Sequence, residues 1–298
     1  MLALSSDVSV LAECDIVYLS VDVPTDENGA SDLVPIQQMI RSVTSVMRSE
    51  ALFVILSQVP PGFTRKVDWP ASQRFYQVET LVFGRAIERA LNPERIILGM
   101  AESNQTIDKR LKIFLEVFRC PILPMRYESA ELAKISINMC LVSMVSTSNT
   151  LAELCERIGA DWAEIVPALK LDRRIGEHSY LNAGLGISGG NLERDLSTVQ
   201  HFAKKHQTDS GVVDAWINNS RYRKDWAWQI LQSLGLNQNL KNKIALLGLT
   251  YKENTHSVKN SPALQLLSHL KGQKVSAYDP AAIIKENSGL ERVSSIRE

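Results

Sequence analysis

The sequence has no surplus of charge: 33 basic residues balance 33 acidic ones. That removes the long-range pull toward nucleic acid or an anionic membrane that a one-sided chain would exert. Cysteine is scarce and scattered. Cys14, Cys120, Cys140 and Cys155 show no C-x-x-C spacing, so they read as reduced core residues of a cytosolic protein, and no metal site is assigned. Long apolar runs are missing too. No window reaches about 18 uninterrupted apolar residues, the length a membrane helix needs. Asp7, Glu13 and Asp15 break the opening residues too early for a signal peptide. A soluble, cytoplasmic chain without nucleic-acid or membrane partners is expected.

What is present is an ordinary globular composition, 45% hydrophobic and 22% charged over 298 residues, enough for two domains and part of a third. Cys14 to Val21 and Ala51 to Ser57 are largely apolar runs, as buried parallel strands require. Between them Ile36, Met39, Ile40, Val43, Val46 and Met47 recur at helical spacing over Leu33 to Arg48. Short strands are expected at Arg95 to Leu98 and near Phe118 to Leu123, completing half of a doubly wound α/β domain. From Ser129 to Gly159 apolar residues recur at three- and four-residue steps and predict one long helix. Leu196 to Leu234 reads as helices, and Lys243 to Thr250 opens a second α/β unit with a helix over Ser261 to Leu270 and a strand over Lys274 to Tyr278. The expected fold is α/β throughout: a partial Rossmann-like domain over 1–126, an all-α dimerisation and substrate domain over 127–236, and the start of a second Rossmann-like domain over 237–298.

One stretch fits neither helix nor strand. Lys170 to Asp195 holds five glycines and dense charge; glycine admits positive φ and lets a backbone approach another surface, so the segment is expected to wrap a ligand. Gly184, Gly186 and Gly189 formally match G-x-G-x-x-G. The dinucleotide fingerprint needs a buried strand in front, and here His178, Ser179 and Asn182 stand there instead, so that reading is rejected.

The runs L-D-x-R-I-G and Y-L-N-x-G-x-G, followed by G-G and R-D, resemble the catalytic stretch of the UDP-glucose/GDP-mannose dehydrogenase family. V-x-V-P-T at 21–25, V-P-P-G-x-T at 59–64, L-N-P-E-R at 91–95, A-E-L-A-K-x-x-x-N at 130–138, G-L-T-Y-K at 248–252 and S-P-A-L at 261–264 are similar to further signatures of the family in the same order. The resemblance implies NAD as cofactor, a nucleotide sugar as substrate and a homodimer. It implies catalytic roles for Lys134, Asn138, Asp195 and Glu79, and for Asn191 standing where the family has its nucleophilic Cys. It implies substrate contacts from Asn149, Arg174, Tyr180, Asn182, Gly186, Gly189 and Lys252, and cofactor contacts from Pro24, Thr25 and Gln58. The family's opening strand–turn–helix, which cradles the pyrophosphate, is expected upstream of Met1, so the chain as given is expected to bind NAD weakly or not at all.

The departures from the pattern cluster. Asn191 replaces the Cys, Arg194 the Lys of the Lys-Asp pair, Gln58 a Thr near the hydrolytic water, and Phe83 the second of two carboxylates. An amide is no nucleophile, so covalent capture of a carbonyl is lost. The groups suited to removing hydride from an alcohol, a proton acceptor and a positive charge for the developing alkoxide, are kept. Three readings follow: an NAD-dependent oxidoreductase on CH–OH donors that stops at the carbonyl, a non-catalytic sugar-nucleotide-binding or dimerisation homologue, and a fragment of a longer enzyme.

Overall fold

The structure, a computed structural model, describes residues 4–26, 30–81, 84–236 and 243–282; Phe83 lies outside them. The chain divides into two compact units, Met1–Ile137 and Asn138–Glu298.

In the first unit, strands β1 (Ile16–Leu19), β2 (Leu52–Ile55), β3 (Arg74–Gln77), β4 (Ile96–Met100) and β5 (Ile122–Arg126) form one sheet in sequence order. Helices α1 (Val34–Thr44), α2 (Ala86–Leu91) and α3 (Lys109–Glu116) connect them. Pairing is parallel except between β3 and β4, which run antiparallel with Tyr76 opposite Gly99. The apolar run of β2 has a simple cause. Phe53 and Ile55 point into a core with Ile36, Ile40 and Val43 of α1, while Leu52 and Val54 point the other way onto Leu111 and Leu115 of α3. Both faces are covered, so both sets of alternate residues must be apolar. Each such side chain contributes roughly 1.5–3 kcal/mol by leaving water.

Strand β3 is the element the sequence pattern does not announce. Its first residue, Arg74, is buried, donates to the Val67 carbonyl, and lays its guanidinium 5.2 Å from the Tyr127 ring centre. A charged side chain satisfied by a carbonyl and an aromatic face reads as a loop residue in a periodicity scan. Gly99 explains the tight fit around it. A Cβ there would stand 2.9 Å from Cβ of Ala130 and 3.0 Å from Cβ of Tyr76, so only glycine lets helix α4 (Tyr127–Ile158) start against the sheet.

The second unit holds the rest of α4, then α5 (Trp162–Leu171), α6 (Asn191–His206), α7 (Gly211–Lys224) and α8 (Trp226–Ser233). A parallel pair follows, β6 (Lys243–Leu247) and β7 (Lys274–Tyr278), joined through α9 (Pro262–His269). Val142, Ile187, Leu196 and Val213 make one small core, and Ala152, Cys155, Trp162 and Leu181 a second. Local signals place the ends: Asp161 accepts from the Ala163 N–H at the start of α5, and Ser261 from the Ala263 N–H at the start of α9.

Three expectations need correction. Cys140 is exposed, and Cys14 and Cys120 are only half-buried; of the four, Cys155 alone is a core residue. Cys140 stands on α4 next to the half-buried Met139, so an apolar neighbour in sequence does not guarantee burial of a helical residue. The segment Lys170 to Asp195 is not loop throughout, because α6 begins at Asn191 and not at Leu196. Third, the sheet of the first unit is mixed, since β3 and β4 oppose each other. Among the described residues no helix is long and apolar enough to cross a membrane.

Candidate functional site

Helix α6 opens on Asn191, and the 3.6-residue period returns Asp195 to the same side one turn later. Their environments differ. Asn191 is exposed, whereas Asp195 is 1% and Arg194 5% exposed. Leu196, between the core residues Val142 and Val213, pulls this part of α6 inward. Asp195 accepts a 2.5 Å hydrogen bond from the side-chain amide of Asn138 on α4, which is itself buried, and its other oxygen lies 3.6 Å from Nε of Arg194. A buried carboxylate is tolerated where a donor and a cation face it together. Asn138 is thus no surface residue. One turn earlier on the same helix Lys134 is half-buried.

The glycine segment is pinned from several sides. Nε1 of Trp162 donates to the Leu181 carbonyl at 2.8 Å, and the Gly184 N–H donates to the side-chain oxygen of Asn149 at 2.7 Å. Arg223 of α7, buried near Glu153 and Glu156, donates to the Gly184 carbonyl at 3.1 Å. The Ile187 N–H meets Oγ of Ser220 at 2.8 Å. Two glycines are required by contact as well as conformation. At Gly186, with φ of 80°, a Cβ would stand 2.6 Å from the Ser220 carbonyl oxygen; at Gly189, with φ of 86°, it would stand 2.8 Å from the ring of Tyr251. The Gly189 N–H donates to the Lys259 carbonyl, and Glu193 of α6 takes Lys224 at 3.1 Å and the Asn260 amide. The glycine segment and G-L-T-Y-K, distant in sequence, are therefore packed together. Asp279, buried just past the end of β7, holds that second motif: it accepts from four backbone N–H groups, those of Leu249, Thr250, Ala281 and Ala282. Burial alone would raise its carboxyl, and the four donors outweigh it and hold the group well below the usual range.

In the first unit, Thr25 follows β1 and Gln58 follows β2, on the carboxyl side of adjacent parallel strands. Oγ of Ser57 donates to the Val21 carbonyl at 2.7 Å and ties the two loops together. Pro24 is exposed and Thr25 bridges Ser31. Glu79 is half-buried, and its carboxylate takes the Leu81 N–H.

Other sequence-predicted residues are not gathered in. Arg174 is exposed and occupied by Asp172 at 2.6 Å; Tyr180 and Asn182 are also exposed. Lys252 is exposed with its ammonium 5.4 Å from the Tyr251 ring centre. The sequence reading missed Ser220 and Arg223, whose partners lie more than 30 residues away, so no local pattern announces them. It also passed over Glu131, for which a signal exists: an acidic residue on the helix side shared by Tyr127 and Ile135, both buried.

Comparison with known proteins agrees with this architecture. Residues 1–119 match the NAD binding domain of the UDP-glucose/GDP-mannose dehydrogenase family, residues 128–221 its central domain and residues 245–298 its UDP binding domain. A UDP-glucose 6-dehydrogenase of Rickettsia bellii is 31% identical over 93% of this chain and 65% of its own length. The UDP-glucose 6-dehydrogenase TuaD of Bacillus subtilis is 30% identical over 92% of this chain and 61% of its own. This chain therefore spans less than two thirds of the length of those relatives. A solved UDP-glucose dehydrogenase from Pyrobaculum islandicum superposes with a TM-score of 0.83 at 27% identity, covering 98% of this chain and 71% of that one. With all three of its domains matched in order, the chain belongs to the UDP-glucose/GDP-mannose dehydrogenase family.

Proposed function

We propose that this protein oxidises the CH–OH group of a nucleotide sugar to a carbonyl and stops there, without the thiol-dependent passage to the acid. The observation that carries the proposal is the contrast on α6: Asp195 is buried and engaged by Asn138 and Arg194, while one turn away Asn191, at the position the family resemblance gives to a thiol, is an exposed amide. In this reading Asn138 orients the Asp195 carboxylate, which takes up the alcohol proton through water. Lys134, one turn from Asn138 on the same helix, supplies positive charge to the developing alkoxide. The family resemblance adds Glu79 of the first unit as a further candidate carboxylate. Asn149 holds the glycine segment through the Gly184 N–H, and Gly186 and Gly189 let its backbone lie close against Ser220 and Tyr251; the family resemblance alone assigns these two glycines and the exposed Arg174, Tyr180, Asn182 and Lys252 to the substrate. The donor chemistry just past β1 and β2, the Thr25 hydroxyl and the Gln58 amide beside Pro24, fits the polar part of NAD. When bound, NAD supplies the hydride acceptor.

The proposed assembly is a homodimer. Leu151, Leu154 and Ile158 on α4 are exposed at three- and four-residue steps, an apolar stripe suited to a two-fold contact. Sedimentation at tens of micromolar should show the dimer, and a strict monomer would count against it.

The deciding measurement, made on a form of the protein that binds NAD, is NADH formed per sugar consumed across UDP- and GDP-sugars, with the product trapped by a hydrazine. One NADH per sugar and a trapped carbonyl are expected. Two NADH per sugar with an acid product would overturn the proposal, and no turnover or ligand-induced thermal shift with any sugar nucleotide would favour the non-catalytic reading.

A further inference from the structure

We propose that Glu131 is a positioning residue: its buried carboxylate fixes the Gly62–Thr64 turn to α4, and with it the backbone that carries Gln58. Glu131 is fully buried, with Oε2 2.5 Å from the Gly62 N–H and Oε1 2.7 Å from the Thr64 N–H. The turn needs such an anchor. Pro60 and Pro61 bring no N–H of their own, Gly62 takes a φ of 86°, and Thr64 opens a three-residue 3-10 helix with its backbone wholly inside the protein. Without the carboxylate, a part-buried donor at Gly62 and a buried one at Thr64 would lose their acceptors together.

The second observation is where the two ends of this clasp lead. Gln58 lies four residues before Gly62, at the carboxyl end of β2, and Lys134 lies three residues after Glu131 on α4. One carboxylate therefore sets the distance between the loop after β2 and the helix that carries Lys134. Alongside, Arg65 from the same turn pairs with Glu128, one turn earlier on α4. That pair is partly exposed and contributes little alone; the buried bonds to Glu131 set the geometry. Glutamate has the shape for the task, because its two oxygens accept from two N–H groups at once and the amide of Gln does not.

The assignment of a cofactor contact to Gln58 rests on the function proposed above, so the test has one arm that does not. Backbone amide exchange is measured over 56–68 and 127–137 in the wild-type chain, Glu131→Gln and Glu131→Ala. The Gly62 and Thr64 amides should exchange at least tenfold faster in both variants, with the sheet and the remaining α4 amides within twofold of wild type. Equal protection of the two amides in Glu131→Gln would overturn the proposal whatever the activity. In the second arm, Glu131→Gln should raise the KM for NAD at least fivefold and leave the KM for the sugar nucleotide within twofold. Equal shifts in both constants would reduce Glu131 to a general stabiliser and overturn the positioning role. If the wild type oxidises no sugar nucleotide, the proposed function fails while the exchange arm still decides the clasp.

Discussion

Asn138 and Asp195, 57 residues apart, meet through a 2.5 Å hydrogen bond with both side chains more than nine-tenths buried. The bond ties α4 to α6 within the second unit and neutralises part of the desolvation of a carboxylate. Asn138→Ala removes the donor and leaves the charge in place, so it should destabilise the chain by about 1–3 kcal/mol. The isosteric Asn138→Asp, which sets two carboxylates against each other, should be worse at neutral pH and recover on acidification. Urea unfolding at pH 5 and pH 8 checks both, and equal midpoints for all three proteins would show that the bond is not made in solution.

The glycine segment offers an internal control. Gly184 has nothing within 4 Å of where a Cβ would stand, whereas Gly186 faces the Ser220 carbonyl at 2.6 Å with a φ of 80°. Gly184→Ala should change stability by less than about 0.5 kcal/mol, while Gly186→Ala combines left-handed strain with a backbone clash and should cost about 2 kcal/mol or more. Similar effects of the two would mean that the segment is not held against α7 as described.

How much of this was legible follows the range of the forces involved. Helix α4 runs over Tyr127–Ile158 against an expected Ser129 to Gly159, and β1 and β2 lie inside their expected apolar runs, because a helical stripe and a doubly covered strand leave local periodicity. Strand β3 was missed because Arg74 is satisfied by Val67 and Tyr127, a solution visible only in three dimensions. The start of α6 was placed five residues late, since Asn191 to Asp195 carry the polar pattern of a loop and become helical by packing. In the candidate site the residue types were readable and the exposures were not. The resemblance marks Asn138 as a site residue but not as a buried one, since its partner Asp195 is 57 residues away, and Ser220 and Arg223 carry no mark of the loop they hold.

Two buried carboxylates give the protein opposite responses to pH. Burial pushes Glu131 up to about 7 from an ordinary 4.5, and the Gly62 and Thr64 N–H groups only partly offset it. Between those values the folded chain keeps a proton the unfolded chain has lost, so this contribution is present below pH 4.5 and is lost as pH rises through 7. Asp279 is held below its ordinary 3.8, so its contribution is present above that value and is lost as pH falls beneath it. The first effect is on the order of 1–3 kcal/mol. Stability measured from pH 3 to 8 should decline at both ends; Glu131→Gln should flatten the upper decline alone and Asp279→Asn the lower alone. Unchanged profiles in both variants would remove these groups from the account.

The last prediction concerns the exposed Asn191 at the opening of α6, in a form of the protein that binds both NAD and the nucleotide sugar. Replacing it with a thiol puts a nucleophile one turn from Asp195, near a helix N-terminus that favours the thiolate. Capture of a carbonyl then becomes chemically feasible, but turnover to the acid also needs a positioned water. The resemblance to the family assigns that water to positions where this chain carries Gln58 and Phe83. Asn191→Cys alone is therefore expected to form one NADH per sugar, or to stall as a covalent adduct that mass spectrometry detects. Adding Gln58→Thr and Phe83→Glu should raise the ratio toward two, with a gain larger than the product of the separate effects, because groups that act in one step are strongly non-additive. A ratio near two from Asn191→Cys alone, at the rate of the triple variant, would show that Gln58 and Phe83 have no part in the step to the acid and that a thiol at 191 is enough for it.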